Sequence, residues 1–156
     1  MQLRTRAAIS VRNRQEKRTL VVKGQAHGIL LYVNGEPIGW CQYGMKDELP
    51  RINNRPKYQR LNLEGVPDDK LWRITCFVVD ENHRRRGVAS GALEAALDAI
   101  RRKGGGLVEA YPVSKSDQGS NYLYSGTVTM FEKAGFKVVA PLGGGRTSTV
   151  VMRRTI

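Results

Sequence analysis

The sequence LWRITCFVVDENHRRRGVASGALEAALDAI occupies residues 71–100 and predicts a strand, a turn and a helix in succession. Residues 71–79 are almost continuously apolar and rich in β-branched and aromatic side chains, which predicts a strand buried on both faces. From Ala89 to Ile100, alanine, leucine and isoleucine recur at helical spacing and form one apolar stripe. A buried strand followed by such a helix and another strand predicts a right-handed parallel crossover in a mixed α/β sheet.

The turn between the strand and the helix is strongly basic, because Arg84, Arg85 and Arg86 directly precede Gly87. The first amides of a helix have no intrahelical partners, and they lie at the positive end of the helix dipole. Additional positive charge there favours a bound anion, since guanidinium groups pair well with phosphate oxygens. A glycine without a Cβ would let a phosphate approach the backbone closely. The alternative is a solvated basic patch that binds nothing.

Turn and breaker residues divide the rest of the chain into further elements. An Asn-Gly pair between two apolar runs predicts a β-hairpin within residues 29–43. Residues 44–70 mix glycine, proline, asparagine and both charge signs, which predicts a long loop holding a short helix. We expect a strand over residues 107–113, then a short helix that ends before Gly135 and two closing strands.

Length and charge indicate one domain over residues 1–156 with a basic N-terminal segment over residues 1–26. The formal net charge is +12, from 26 lysines and arginines against 14 acidic residues. Half of that net charge lies in the N-terminal segment. A field of this sign concentrates anions such as nucleotides, phosphorylated cofactors or nucleic acid.

Several function classes are disfavoured by what the sequence lacks. No apolar run approaches the roughly 20 residues that span a bilayer, and the N-terminus has no apolar signal region. We therefore expect a cytoplasmic protein without a membrane partner. Cys41 and Cys76 have no CxxC spacing and lie in apolar segments, which predicts free thiols and no metal site.

Two motifs together resemble the GNAT acyltransferase superfamily. RRRGVA, residues 84–89, matches the pyrophosphate turn [RQ]-x-x-G-x-[GA], and MFEKAGF, residues 130–136, is similar to the end of the family's short helix. The resemblance covers residues 27–154. It implies an α/β (α+β) fold in which flanking helices cover a mixed central sheet. That sheet splays between its fourth and fifth strands, which are residues 71–79 and 107–113 here.

The resemblance also implies an N-acetyltransferase that uses acetyl-CoA. Its acceptor amine would attack the thioester directly, without an acyl-enzyme. The pantetheine arm would pair with the backbone at the end of the first splayed strand, and the pyrophosphate would bind amides of the basic turn. The cofactor-binding residues expected from this match are Phe77, Val78, Val79, Arg84, Arg85, Arg86, Gly87, Val88, Ala89 and Ser90.

The expected acid–base residues are less well defined by the motifs. Many family members place a tyrosine just before the Glu-Lys of the short helix as the acid for the leaving thiolate, but this chain has Phe131 there. Tyr124 is the first substitute, unless it only packs against the loop or no acid is needed. Glu109, Glu48 and Asp47 are the candidate bases, and an ordinary surface carboxylate is the alternative for each.

The N-terminus departs from the family pattern, because only about 26 residues precede the hairpin. The family's first strand is therefore missing, shortened or supplied by another subunit, and a homodimer is one way to cover the open edge. Two other functions stay open: a CoA-binding protein without catalysis, and a nucleic-acid-binding module that uses residues 1–26 and 84–86. We expect residues 44–70 and 114–121 to shape the acceptor pocket, although their mixed charge favours no acceptor class.

Overall fold

The computed structural model describes residues 6–63, 66–116, 124–145 and 147–156. Seven strands form one sheet, and four helices accompany them in the described residues. The strands are β1 (His27–Val33), β2 (Glu36–Met45), β3 (Leu71–Val79), β4 (Leu107–Ala110), β5 (Val113–Ser116), β6 (Lys137–Gly143) and β7 (Thr147–Thr155). The helices are α1 (Arg6–Val22), α2 (Pro56–Arg60), α3 (Val88–Arg102) and α4 (Val128–Lys133).

The sheet has the order β1-β2-β3-β4-β7-β5, and β6 pairs with the opposite edge of β7. Only β3 and β4 run parallel, and their register extends from Leu71 opposite Leu107 to Ile74 opposite Ala110. The remaining five residues of β3 have no partner on that side among the described strands. The expected splayed mixed sheet is confirmed, and the splay lies between β3 and β4.

The predicted hairpin is confirmed. Asn34 and Gly35 form its turn with φ values of 50° and 84°, the left-handed conformations that a two-residue hairpin turn requires. β1 and β2 then pair antiparallel from Val33 opposite Glu36 to His27 opposite Tyr43.

Helix α3 packs its apolar stripe onto the sheet. Leu93, Leu97 and Ile100 are fully buried, and each stabilises the fold by about 1.5–3 kcal/mol through the burial of its side chain. The helix begins very close to β2, because a Cβ built on Gly39 would lie 2.5 Å from Cγ1 of Val88. Glycine at position 39 therefore fixes how closely the start of α3 approaches the sheet.

The predicted single strand over residues 107–113 is wrong. β4 ends at Ala110, and β5 starts at Val113 and pairs with β7 instead of continuing beside β3. Pro112 between them has no N–H group for a strand ladder, although its carbonyl still accepts the N–H of Val150 in β7 at 3.1 Å. The break between β4 and β5 moves the chain away from β3 and opens the cleft between the two sheet halves.

The connection between β2 and β3 is irregular, as predicted, and holds α2 and several 3₁₀ turns. It is not loosely attached, because Ile52 is buried with Tyr111, Leu142 and Val151 in a second apolar cluster. The connection is thereby held against the end of β4 and against β6 and β7.

The first strand of the family pattern has no counterpart before β1 in the described residues, where α1 is found instead. Leu30, Tyr32 and Val33 of the edge strand β1 are exposed. A homodimer that covers this edge stays a prediction. No helix within residues 6–63, 66–116, 124–145 and 147–156 is long and apolar enough to cross a membrane.

Candidate functional site

The turn before α3 presents uncapped backbone amides. Gly87 is the N-cap residue in a left-handed conformation, with φ 78° and ψ 7°, and no side chain of the described residues caps the helix. The first helical hydrogen bond runs from the N–H of Gly91 to the carbonyl of Gly87 at 2.9 Å. The amides of Val88, Ala89 and Ser90 therefore precede the intrahelical ladder and are available to a ligand.

The space around this turn is open and basic. A Cβ built on Gly87 would have no neighbour within 4 Å. Glycine is therefore favoured at position 87 by the positive φ and not by crowding within the protein. Arg84, Arg85 and Arg86 are all exposed, and none forms an ion pair with the described residues. Three cations around free amides at a helix N-terminus fit a diphosphate.

The backbone before the arginines is held by a local hydrogen-bonded pair. Nδ1 of His83 lies 2.9 Å from Oδ1 of Asp80, which also accepts the N–H of Asn82 at 3.0 Å. The hydrogen bond with His83 is the main reason why the pKa of Asp80 lies below its ordinary value. His83 therefore belongs to the turn that carries the arginines.

The end of β3 has one paired edge and one free edge. On one side, Phe77, Val78 and Val79 lie opposite Cys41, Trp40 and Gly39 of β2. On the other side, β4 has already ended, so the outward backbone groups of this segment face the cleft. An extended ligand can add to such an edge like a further strand.

The cleft between β3 and β5 is lined at its base by the segment before α4. The N–H of Val113 donates to the carbonyl of Gly126 at 3.2 Å. A Cβ on Gly126, whose φ is 81°, would lie 2.9 Å from Cε2 of Phe131 and 3.4 Å from Cε2 of Phe77. Tyr124 stands two residues before Gly126, and its side chain is 56% exposed.

Phe131 is fully buried at the position where the family pattern has tyrosine. Its ring packs edge-on against Phe77 at 6.1 Å and against Phe136 at 5.0 Å between centroids. The ring has no polar group, so position 131 supplies packing and no proton.

Glu109 is not a surface carboxylate, which contradicts the alternative that the sequence left open. The residue is fully buried in β4. Its Oε1 accepts hydrogen bonds from the hydroxyls of Tyr58 and Tyr111, both at 2.6 Å, and its Oε2 accepts one from Nε of Arg153 at 2.8 Å. Three donors thus hold this carboxylate, as a buried charge requires.

Glu48 and Asp47 lie beside the start of β3, on the β2 side. Oε2 of Glu48 is 2.8 Å from Nδ1 of His27 and accepts the N–H of Met45 at 3.2 Å. Met45 lies opposite Trp72 in the register. Asp47 is exposed. The structure therefore separates the candidate bases: Glu109 lies in the network on β4, and Glu48 pairs with a histidine.

Both cysteines are free thiols. Burial raises the pKa of Cys41 to about 12, and it also raises the pKa of the half-buried Cys76. A thiol with a raised pKa is a poor nucleophile because its thiolate is scarce. In the part of the chain that the structure describes, no group of three or more His, Cys, Asp or Glu residues could hold a metal ion.

Two features of the site were missed at the sequence level. Arg73, fully buried in β3, donates to the carbonyl of Leu49 at 2.9 Å and to Oδ1 of Asn53 at 2.6 Å, which ties the β2–β3 connection to the sheet. The sequence signal for this buried arginine was its position within an otherwise apolar strand. The second feature is a cavity of about 620 Å³ beside α2 and the β6–β7 turn, which no local pattern indicates.

The sequence profile described as the acetyltransferase (GNAT) family matches residues 2–127 of the chain. A search of curated proteins finds no sequence that matches.

Solved structures with a similar fold include three bacterial enzymes. A ribosomal-protein-alanine N-acetyltransferase from Brucella melitensis is 14% identical, with a TM-score of 0.61 over 93% of this chain and 78% of that one. An N-acetyltransferase from Staphylococcus aureus Mu50 is 15% identical, with a TM-score of 0.60 over 91% of this chain and 74% of that one. A GCN5-related N-acetyltransferase from Kribbella flavida is 18% identical, with a TM-score of 0.56 over 85% of this chain and 68% of that one. Identities this low establish a shared fold and nothing finer.

Proposed function

Because the chain belongs to the acetyltransferase (GNAT) family, we propose that it transfers an acetyl group from acetyl-CoA to an amine acceptor by direct attack. The observation that carries this proposal is the turn at Gly87. Its uncapped amides, its open space and the exposed arginines at positions 84–86 together suit a diphosphate. A helix start capped by the protein's own side chains would have left no such site.

The donor would extend from this turn along the free edge of β3. Phe77, Val78 and Val79 offer backbone groups that β4 leaves unpaired, and these suit the amide groups of a pantetheine arm. When bound, acetyl-CoA supplies the activated acetyl group as a thioester. Direct transfer to the acceptor agrees with the raised pKa values of Cys41 and Cys76, which argue against a cysteine that carries the acetyl group.

Tyr124 is the proposed acid, because it is exposed and stands two residues before Gly126 at the cleft, whereas Phe131 has no hydroxyl. Glu48 is the proposed base, and because it lies beside the start of β3 on the β2 side, it would act through water. Its Oε1 has no hydrogen-bond partner among the described residues, while Oε2 is held by His27 and by the N–H of Met45. Glu109 is less suited to accept a proton, since three donors already occupy its carboxylate.

Thermal unfolding with ligand tests the donor site. Acetyl-CoA at one hundred times its Kd should raise the stability of the protein by about 2.7 kcal/mol, whereas free DNA should not. Replacing Arg84 and Arg86 with alanine should weaken acetyl-CoA binding most at low salt, because exposed charges are screened by ions. The matched control replaces Arg14 and Arg18, two exposed arginines of α1, and should leave binding unchanged.

Release of free CoA over a panel of amines then tests transfer. No thermal shift at millimolar acetyl-CoA would refute the donor assignment. Binding without CoA release from any amine would instead indicate a CoA-binding protein without catalysis.

A further inference from the structure

We propose that the acceptor amine carries an anionic group, a carboxylate or a phosphate, that binds in the cavity beside α2. We call this cavity the basic pocket; it is lined by Arg55, Lys57, Arg60, Tyr124, Thr147 and Thr149, among others. The inference rests on the proposed function and names its substrate class.

The charge of the basic pocket has one sign. Arg55, Lys57 and Arg60 are exposed, and none forms an ion pair or a side-chain hydrogen bond with the described residues. No acidic residue is present among the described residues that line it. Three cations with no ion-pair partner among the described residues favour an anion at this concave surface, because a negative charge between them offsets their mutual repulsion.

The two acidic residues within residues 44–63 of this connection do not line the pocket. Glu48 lies against His27, and Asp47 is solvated. Glu109, the buried acid at the end of β4, is neutralised by Arg153. The charges that are mixed along residues 44–63 are therefore separated in the fold, and the cations alone reach the pocket.

The pocket adjoins the cleft where transfer would take place. Tyr124, the proposed acid, is part of its lining. Thr149 lies opposite Val113 in the register, and the N–H of Val113 bonds to Gly126 at the base of the cleft. A volume of about 620 Å³ suits a small molecule. An anion held by α2 would thus position an amine toward the cleft, while the arginines at positions 84–86 remain for the donor.

Matched amines provide the test. Glutamate is compared with its diamide, which keeps the α-amine but has no carboxylate, and phosphoethanolamine is compared with ethanolamine, in a CoA-release assay at low salt. We expect kcat/KM to be about tenfold higher for the anionic member of at least one pair, because each exposed charge-assisted contact changes binding by about two- to fivefold. The two pairs distinguish a carboxylate from a phosphate acceptor.

Removing the positive charges of the basic pocket tests whether this pocket binds the anionic group of the acceptor. The triple variant Arg55→Ala, Lys57→Ala, Arg60→Ala should lose the preference through a higher KM, with acetyl-CoA affinity unchanged. The control variant Arg14→Ala, Arg18→Ala, Lys23→Ala removes the same charge from the N-terminal region and should keep the preference. Calorimetry on the CoA-bound protein measures binding of glutamate and phosphoethanolamine independently of turnover.

The outcomes are distinct from those of the proposed function. Failure to bind acetyl-CoA would refute the proposed function itself. Acetyl-CoA binding with neither transfer to nor binding of the two anionic amines would overturn the basic pocket. The same conclusion would follow if neutral or cationic amines were preferred, or if the triple variant kept the anion preference. Loss of that preference in the control variant as well would assign it to long-range attraction and likewise overturn the pocket.

Discussion

Replacing Gly87 with alanine separates the two properties of the turn, its backbone conformation and its open space. The φ of 78° costs an alanine about 1–2 kcal/mol of stability. No clash adds to this, since nothing lies within 4 Å of the new Cβ. The melting temperature should fall by about 2–4 °C for each kcal/mol lost in a domain of this size.

Acetyl-CoA binding should weaken in the same variant by more than the stability loss explains. A methyl group in the approach to the amides of Val88 and Ala89 would displace the diphosphate. Loss of one charge-assisted hydrogen bond costs about 1.5–3 kcal/mol, which corresponds to about a 10- to 150-fold rise in Kd measured by calorimetry. Acetylpantetheine, which lacks the diphosphate, should show an unchanged KM.

Gly24→Ala is the matched control. Gly24 has φ 68° and nothing within 4 Å of a Cβ, but it lies after α1, at the end of β1 that is remote from the hairpin turn. The variant should keep wild-type acetyl-CoA affinity. If Gly87→Ala loses the expected stability but binds acetyl-CoA as tightly as the control, the glycine serves the backbone alone and the diphosphate site lies elsewhere.

Three further predictions concern the proton donor and the buried network. Tyr124→Phe should lower kcat about 100-fold without changing acetyl-CoA affinity, and a wild-type kcat would contradict its role as the acid. Glu109→Gln should lower the free energy of unfolding in urea by about 3 kcal/mol, because it breaks a buried pair with Arg153; a stable but inactive variant would instead indicate a catalytic base. Burial and then the charge of Glu109 raise the pKa of Tyr111 well above 10.0, so the folded state keeps this proton longer than the unfolded state. Its stabilising contribution is complete below about pH 10 and is lost as the pH rises towards the raised pKa. Tyr111→Phe should flatten this alkaline loss in pH-dependent unfolding, and an unchanged slope would contradict the assignment.

The elements proposed to bind the donor were predictable because their signals are local in sequence. The buried strand, the arginines, Gly87 and the apolar stripe of α3 follow one another within residues 71–102, and each acts through backbone geometry or helical spacing. The structure has the same elements in the same order. Short-range rules therefore suffice for the crossover and for the turn.

The break between β4 and β5 could have been anticipated from Pro112, but the apolar run around it favoured one continuous strand. The buried network had no such signal. Tyr58 and Arg153 meet Glu109 from 51 and 44 residues away, so only the folded chain distinguishes this carboxylate from a solvated one.

The basic pocket was hidden for a similar reason. Arg55, Lys57 and Arg60 alternate with other residues in a connection of mixed charge. Their common surface arises only when α2 lies beside the β6–β7 turn and Tyr124.

A crystal structure with bound acetyl-CoA is the most direct measurement of the donor site. We expect its diphosphate oxygens within hydrogen-bonding distance of the amides of Val88, Ala89 and Ser90, and its pantetheine arm along the free edge of β3. A diphosphate bound away from this turn would contradict the proposed function at its foundation. A ligand that leaves the free edge of β3 empty would do so as well.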